Sequence, residues 1–236
     1  MYTLEDGHLF DKRQIADGGK TLEQWVRASE ARSIVVDPPS GRIPYQPWAL
    51  AKRQEHFDAH TRPTKPEDVD GRARCHLPGV PRMMTSGDSQ ILQRPGYVVL
   101  MNEFTHATRI IPVDGRPHLG ENIRLWQGDS RGRWSGNTLT VETTNTNAKW
   151  LDIVGNFHSD ALRVVERFTL VNADTIRYEA SLEDPKVFTA PWTIALSLRR
   201  NKEPGFELWE DACVEGQRPL SELLFDAPAN PDGALK

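Results

Sequence analysis

The segment KWLDIVGNFHSDALRVVERF, residues 149–168, concentrates the side chains best suited to moving protons. Lys149, Asp152, His158 and Asp160 fall in a loop-like stretch that leads straight into an alternating run carrying Glu166. General acid–base catalysis needs one group to take a proton, one to return it, and one to fix the ring's tautomer. On that logic His158 is the candidate acid or base, Asp160 its orienting partner and Glu166 the second acid–base group. Arg109 or Arg131 would stabilise developing negative charge. Loop histidines are more often solvated than catalytic, so the spacing around His158 is not a motif by itself.

His106 offers a second imidazole, for which a hydrogen-bonded strand histidine is the plainer reading. Candidate substrate contacts are His106, Asp129, Arg131 and Trp134, together with Lys149, Asp152 and Tyr178. His106, His118 and His158 with Asp129 or Asp160 make a metal set on paper, but no HxH, HExxH or CxxC spacing supports it, and no metal is expected. Neither GxGxxG, GxxxxGK[ST] nor GxSxG occurs, and Ser130 and Ser159 sit in no nucleophile elbow, so no cofactor is expected. Cys75 and Cys213 are the only cysteines. They are either two buried thiols or one disulfide closing a long loop.

These groups need a scaffold, and hydrophobic periodicity supplies one. After residue 90 the period is two: 97–104, 106–113, 122–126, 138–145, 161–171, 175–183, 192–200 and 206–214 read as successive strands. Nothing alternates helix with strand, so a parallel α/β sheet is disfavoured. The expectation is a mainly β fold, an antiparallel meander closed into a lipocalin-like barrel or a strongly curled sheet, since closure removes exposed edges. Residues 1–89 read as an irregular wrapping segment with two short helices, at 21–32 and 47–60; residues 90–216 as the barrel; and residues 217–236 as a tail with a short helix, all in one domain.

Alternation also assigns faces. Glu166 shares a face with Leu162, Val164, Phe168 and Leu170; Tyr178 lies in the apolar row Ile176, Ala180 and Leu182; and Arg109 goes with Ala107, Ile111 and Val113. An inward carboxylate must pair, protonate or meet a wet cavity. Glu166 is therefore either a structural ion-pair partner of Arg109 or a neighbouring Arg, or a pocket acid or base. The stretch GDSRGRWSG reads as a turn-rich corner pinned by an Arg–Asp pair with Trp134 packed beneath, reversing at Ser135–Thr138 into Leu139, Val141 and Thr143.

Composition limits the function classes. A net charge of -4 over 236 residues, from 29 basic and 33 acidic side chains, argues against nucleic acid. No run approaches the ~18 apolar residues of a membrane span, so no membrane partner is expected. The start MYTLEDGHLF lacks a basic n-region and an apolar stretch, which reads as cytoplasmic if the chain is full length. The 17 Gly and 17 Pro point to many turns, and seven Trp supply large apolar surfaces for a core or a pocket.

NIRLWQGDSRGRWSGNTLTVETTN, with IIPVDGRPHL before it and LRVVERFTLVNADTIRYEASLEDPKVFTAPWT after it, resembles a large family of bacterial proteins of unassigned function. DPPSGRIPYQP and RCHLPGVPR also match that family's look, so the resemblance covers residues 35–216. Many of its members are exported, which implies a periplasmic address; it implies no reaction. The expectation from the residues is a cofactor-independent lyase, isomerase or hydratase acting on a small apolar or aromatic molecule, such as a phenolic, in a barrel pocket. A non-catalytic lipocalin-like carrier of an apolar ligand is the alternative. The partner in either case is a small molecule, and a homo-oligomer is compatible with the sequence.

Overall fold

The structure is a computed structural model that describes residues 33–85, 87–147 and 150–213, with the backbone of Tyr2–Leu4. The expected helix at 21–32, the tail at 217–236 and Lys149 lie outside the described residues. The fold is mainly β and antiparallel, as the period-two pattern requires.

The strands are β1 (Tyr2–Leu4), β2 (Val35–Asp37), β3 (Ser89–Arg94), β4 (Tyr97–Asn102), β5 (Thr108–Pro112), β6 (Asp129–Ser135), β7 (Thr138–Thr144), β8 (Arg163–Asn172), β9 (Thr175–Glu183) and β10 (Trp192–Arg200). One helix, α1 (Pro47–Thr61), opens with a proline in its first turn, where a missing N–H costs nothing. Ladder order is β5-β4-β3-β1-β10-β9-β8-β7-β6. β6 to β10 are consecutive neighbours, with tight turns between β6 and β7 and between β8 and β9 and longer connections between the others, and β3 to β5 form a second run of neighbours. β1 links the two runs through three pairs to β10 and one, Tyr2↔Ser89, to β3. β2 pairs with the Thr193–Ile194 end of β10.

The two ends of the ladder, β5 and β6, share no backbone pairing, yet their side chains meet. Arg109 Nε donates to Ser130 Oγ at 2.8 Å. A Cβ added at Gly132 would lie 2.8 Å from Val113 Cγ1 and 2.9 Å from Ile111 Cγ2, so the absent side chain at this position is what lets the edges approach. Face assignments follow the alternation: Ala107, Arg109 and Ile111 are buried, as are Val164, Glu166 and Phe168, then Ile176, Tyr178, Ala180 and Leu182, then Trp192, Ile194, Leu196 and Leu198.

Four expectations change. DSRGRWS is a strand, β6, not part of a turn-rich corner: its hydrogen bonds go to β7 from Asp129↔Thr144 to Ser135↔Thr138, and the Gly136–Asn137 turn joins the two. Residues 122–126 are not a strand, because Ile123, Leu125 and Trp126 are exposed and only Leu125 makes a bridge, to Thr146. Within the described residues, 206–213 carry no strand either. His106 ends a short 3-10 turn at φ +48°, so the strand begins only at Thr108. Cys75 and Cys213 are disulfide-bonded, with Cα atoms 5.6 Å apart, which settles the alternative left open by the sequence.

Candidate functional site

Three of the sequence-selected residues converge. Arg109 NH1 donates to Glu166 Oε1 at 3.0 Å, Arg109 NH2 to Glu166 Oε2 at 2.5 Å, and Tyr178 Oη to Glu166 Oε1 at 2.9 Å. Thr143 Oγ1 accepts from Arg109 NH2 at 2.6 Å and lies 3.1 Å from Ser130 Oγ. Glu166 is 0% exposed and Arg109 3%. Burial, with the Glu166 charge second, holds the Tyr178 phenol well above its usual pKa, so it stays a protonated donor. Arg109 makes four donor contacts, and both oxygens of the Glu166 carboxylate accept hydrogen bonds, Oε1 two and Oε2 one. The geometry is that of a satisfied internal ion pair, the first of the two readings open for Glu166.

The rest of the sequence-selected set is dispersed. Glu166 bonds to Arg109 and Tyr178, not to His158; His158 is buried, with Nδ1 2.7 Å from the Ser159 carbonyl. Asp160 is exposed and takes Lys186 Nζ at 2.7 Å, an interaction that lowers its pKa, so it does not orient His158. Asp152 folds its own loop, accepting from Val154 N at 2.9 Å, Asn156 N at 3.1 Å and Asn156 Nδ2. Asp129 accepts from Leu119 N at 3.0 Å and Arg131 NH1 at 2.6 Å and meets His118 Nδ1 at 2.7 Å, so the expected Arg–Asp pair is present, on a strand. His106 is exposed. Trp134 is 46% exposed instead of packed beneath a corner. Among the described residues no three His, Cys, Asp or Glu side chains group to hold a metal.

Two of the cavities bounded by described residues bear on function. One, of about 430 Å³, lies between β3–β4 and β6–β10 and is lined chiefly by Val98, Leu100, Leu139, Phe168 and Ile176, with Trp134 at its edge. The other, of about 550 Å³, lies where α1, the segment from Lys65 to Arg82, Trp126 and Trp150 face one another. Neither is lined by Arg109, Glu166, Tyr178, His158 or Asp160.

The larger cleft carries the chemistry. α1 turns a stripe of Ala49, Arg53, His56, Phe57 and His60 inward or half-inward, at helical spacing. Gly155, at φ +83°, lets the 151–157 loop press on this helix: a Cβ there would fall 2.9 Å from Phe57 N. The approach brings the His56 ring to 5.0 Å from Trp150 and to 4.9 Å from Phe157, edge to face. Burial, then Lys52, pulls the His56 pKa below the ordinary imidazole value. Its Nδ1 is buried without a partner.

On the facing wall, His76 lies 4.6 Å from Trp126, ring to ring. Burial, then Arg74, lowers its pKa as well, so near pH 7 it is a neutral imidazole with an acceptor nitrogen. Arg82, 6% exposed, donates to Asp70 at 3.0 Å; Asp70 also caps the Gly71–Arg74 turn by accepting from Arg72 N at 2.9 Å. Arg72 lies 3.3 Å above the Phe104 ring, and burial followed by the nearby Arg82 charge pushes its pKa down to about 10. The Cys75–Cys213 bridge lies between Arg74 and His76 in sequence, and Cys213 Sγ contacts Arg72 O at 3.4 Å, so the disulfide fastens this wall.

Sequence reasoning missed this cleft. One signal was available: His56 and His60 recur four apart beside Phe57 on the inward stripe of an amphipathic helix. His76 and Trp126 carry no such pattern. Compared with family models, with curated proteins and with solved structures, the chain finds no match.

Proposed function

We propose that the protein is a cofactor-independent acid–base enzyme for a small aromatic molecule, with the 550 Å³ cleft as its site and His76 as the proton-transfer group. One observation carries the reading: an imidazole of lowered pKa, tilted against Trp126 with the ring centroids 4.6 Å apart, in a cleft that also presents Trp150. Aromatic faces bind a planar ring, and a neutral imidazole removes or relays a proton, the step shared by lyases, isomerases and hydratases. His56 positions Trp150 rather than reacting, since its free nitrogen is buried. His158, Asp160 and Glu166 are not part of this proposal, because their hydrogen bonds are spent elsewhere.

The test is incubation of the protein in D2O with mixed aromatic metabolites, followed by mass spectrometry. The expected result is one compound that gains deuterium or converts to an isomeric or hydrated product, and loses this with His76→Ala. Equal conversion by the variant would remove His76 from the chemistry.

A second reading, a lipocalin-like carrier, is favoured by the apolar 430 Å³ cavity at one end of the sheet. It treats the curled sheet as a barrel whose β5–β6 seam is closed by side chains. An apolar compound that co-purifies and is displaced by Leu100→Trp would favour that carrier. The family resemblance and the Cys75–Cys213 bridge together support an oxidising, periplasmic setting for either reading.

A further inference from the structure

We propose that the 430 Å³ cavity at one end of the curled sheet binds the aliphatic tail of a small amphiphile, tail first, and leaves its head group in water. This rests on the carrier reading and names what that cavity takes.

Strand register makes the cavity a blind pocket. Its walls are the pairs Gln93↔Val98 and Ile91↔Leu100 on β3 and β4, and Leu139↔Phe168 and Leu170↔Ile176 on β7 to β9. The next inward residues along β8 and β9 are Glu166 and Tyr178, both 0% exposed and bonded to each other at 2.9 Å, with Arg109 completing the network. The Phe168 ring lies 4.9 Å from the Tyr178 ring and so rests on that network as a floor. A chain that pushed past Phe168 would part polar groups whose hydrogen bonds are already made, so insertion stops there. Successive inward residues on one strand are about 7 Å apart. The layers above the floor therefore hold a medium-length alkyl chain.

Polarity is sorted by depth. Val98, Leu100, Leu139, Phe168 and Ile176 are buried, whereas the polar lining residues Gln93, Asn137 and Arg200 are exposed, as are Trp134 and Leu170. None of the buried polar atoms that lack a partner belongs to this lining. A charged or hydrogen-bonding group placed inside would lose its water and find no replacement. At the mouth, Asn137 Nδ2 donates to Leu170 O at 2.8 Å; Arg200 N donates to Asp174 O at 2.8 Å, and Arg200 Nε lies 3.7 Å from the Asp174 carboxylate. Exposed groups already engaged with one another discriminate weakly between heads. Apart from Phe168 and Trp134 the apolar lining is aliphatic, which a flexible chain fills better than a flat ring does. The volume falls within the range of about 300–1,000 Å³ usual for small-molecule sites.

The experiment binds the neutral dye N-phenyl-1-naphthylamine to the whole chain, reads its fluorescence, and displaces it with straight-chain alcohols from butanol to dodecanol and with the matching carboxylates. Each added methylene is expected to tighten binding about fourfold until the chain reaches Phe168, and by less than about twofold after that. Alcohol and carboxylate of one length should agree within about fivefold. Ile91→Phe and Ile176→Phe fill the volume from opposite walls, and each should weaken octanol about tenfold or more, the loss of roughly two buried methylenes. Ile91 is only partly buried, so that variant keeps its fold if the other does not. A flat chain-length profile, a rise that continues unbroken to dodecanol, or one head preferred by more than about tenfold overturns the tail-first insertion; if both variants still weaken the dye, the carrier reading stands without it. If the dye does not bind, or binds equally well to the folded variants, the carrier reading falls as well.

Discussion

Arg109 on β5 donates to both oxygens of Glu166 on β8, 57 positions further along the chain and on a strand with which β5 forms no ladder. The pair spans the inside of the sheet where β5 and β6 lack backbone pairing. Removing one member strands a buried charge, and the cost of that is about 3–5 kcal/mol. Glu166→Gln and Arg109→Met are each expected to lower the urea midpoint by that equivalent. The double variant Arg109→Met/Glu166→Leu should recover much of the loss, because no orphaned charge remains. Single variants that unfold at the unaltered midpoint would show that the pair is not structural.

Acid should weaken both fold and site. His56 and His76 have folded pKa values below the usual value of about 6.5, so the unfolded chain binds more protons than the folded one as pH falls. Their contribution to stability is present above about pH 6.5 and is lost as pH drops through the depressed values. Thermal midpoints measured from pH 7.5 down to 5 should fall, and His76→Gln should flatten part of that slope. Turnover of a substrate should show an acid limb in the same range that His76→Gln removes together with the activity.

The disulfide closes a span of 138 residues, which in the chain-entropy account stabilises the fold by about 4–5 kcal/mol. Cys75→Ser/Cys213→Ser, or reduction with a dithiol, should lower the melting temperature by several degrees or more. Because Cys75 separates Arg74 from His76, the same treatment should weaken ligand binding at temperatures where the fold persists. Unchanged affinity in the reduced, folded protein would mean that this wall holds without its bridge.

Gly155→Ala places a Cβ against the backbone of α1 at a positive φ, so the helix or the loop must shift. The expected cost is about 2 kcal/mol or more. Gly96 has a similar φ of +80° with open space around it, and Gly96→Ala should cost only about 1 kcal/mol. Chemical unfolding of the two variants separates backbone strain from crowding. Equal losses would argue against a crowded contact at Gly155.

The sheet was legible where a strand's own side chains declare which face is wet. Glu166, Tyr178 and Arg109 could be placed inward from their neighbours alone, and all three are buried together. β6 was illegible because Gly132 and the charges of Asp129, Arg131 and Arg133 lower its strand propensity, while the ladder to β7 and the partners of Asp129 supply what propensity does not. The cleft was illegible for a different reason: its parts come from a helix, an irregular segment and two loops, and their meeting depends on Gly155 and the disulfide. No local period encodes such a meeting. His158 and Asp160 had the right types at the right spacing, and each found a nearer partner.

During synthesis, Arg109 leaves the ribosome well before Glu166, and the guanidinium has no counter-charge until β8 has been made. A nascent chain that stops before β8 therefore cannot bury β5 without stranding a cation, which favours waiting over premature collapse. The first half of the molecule is therefore expected not to fold by itself, and splitting the gene between β5 and β8 should yield two fragments that become ordered only when mixed.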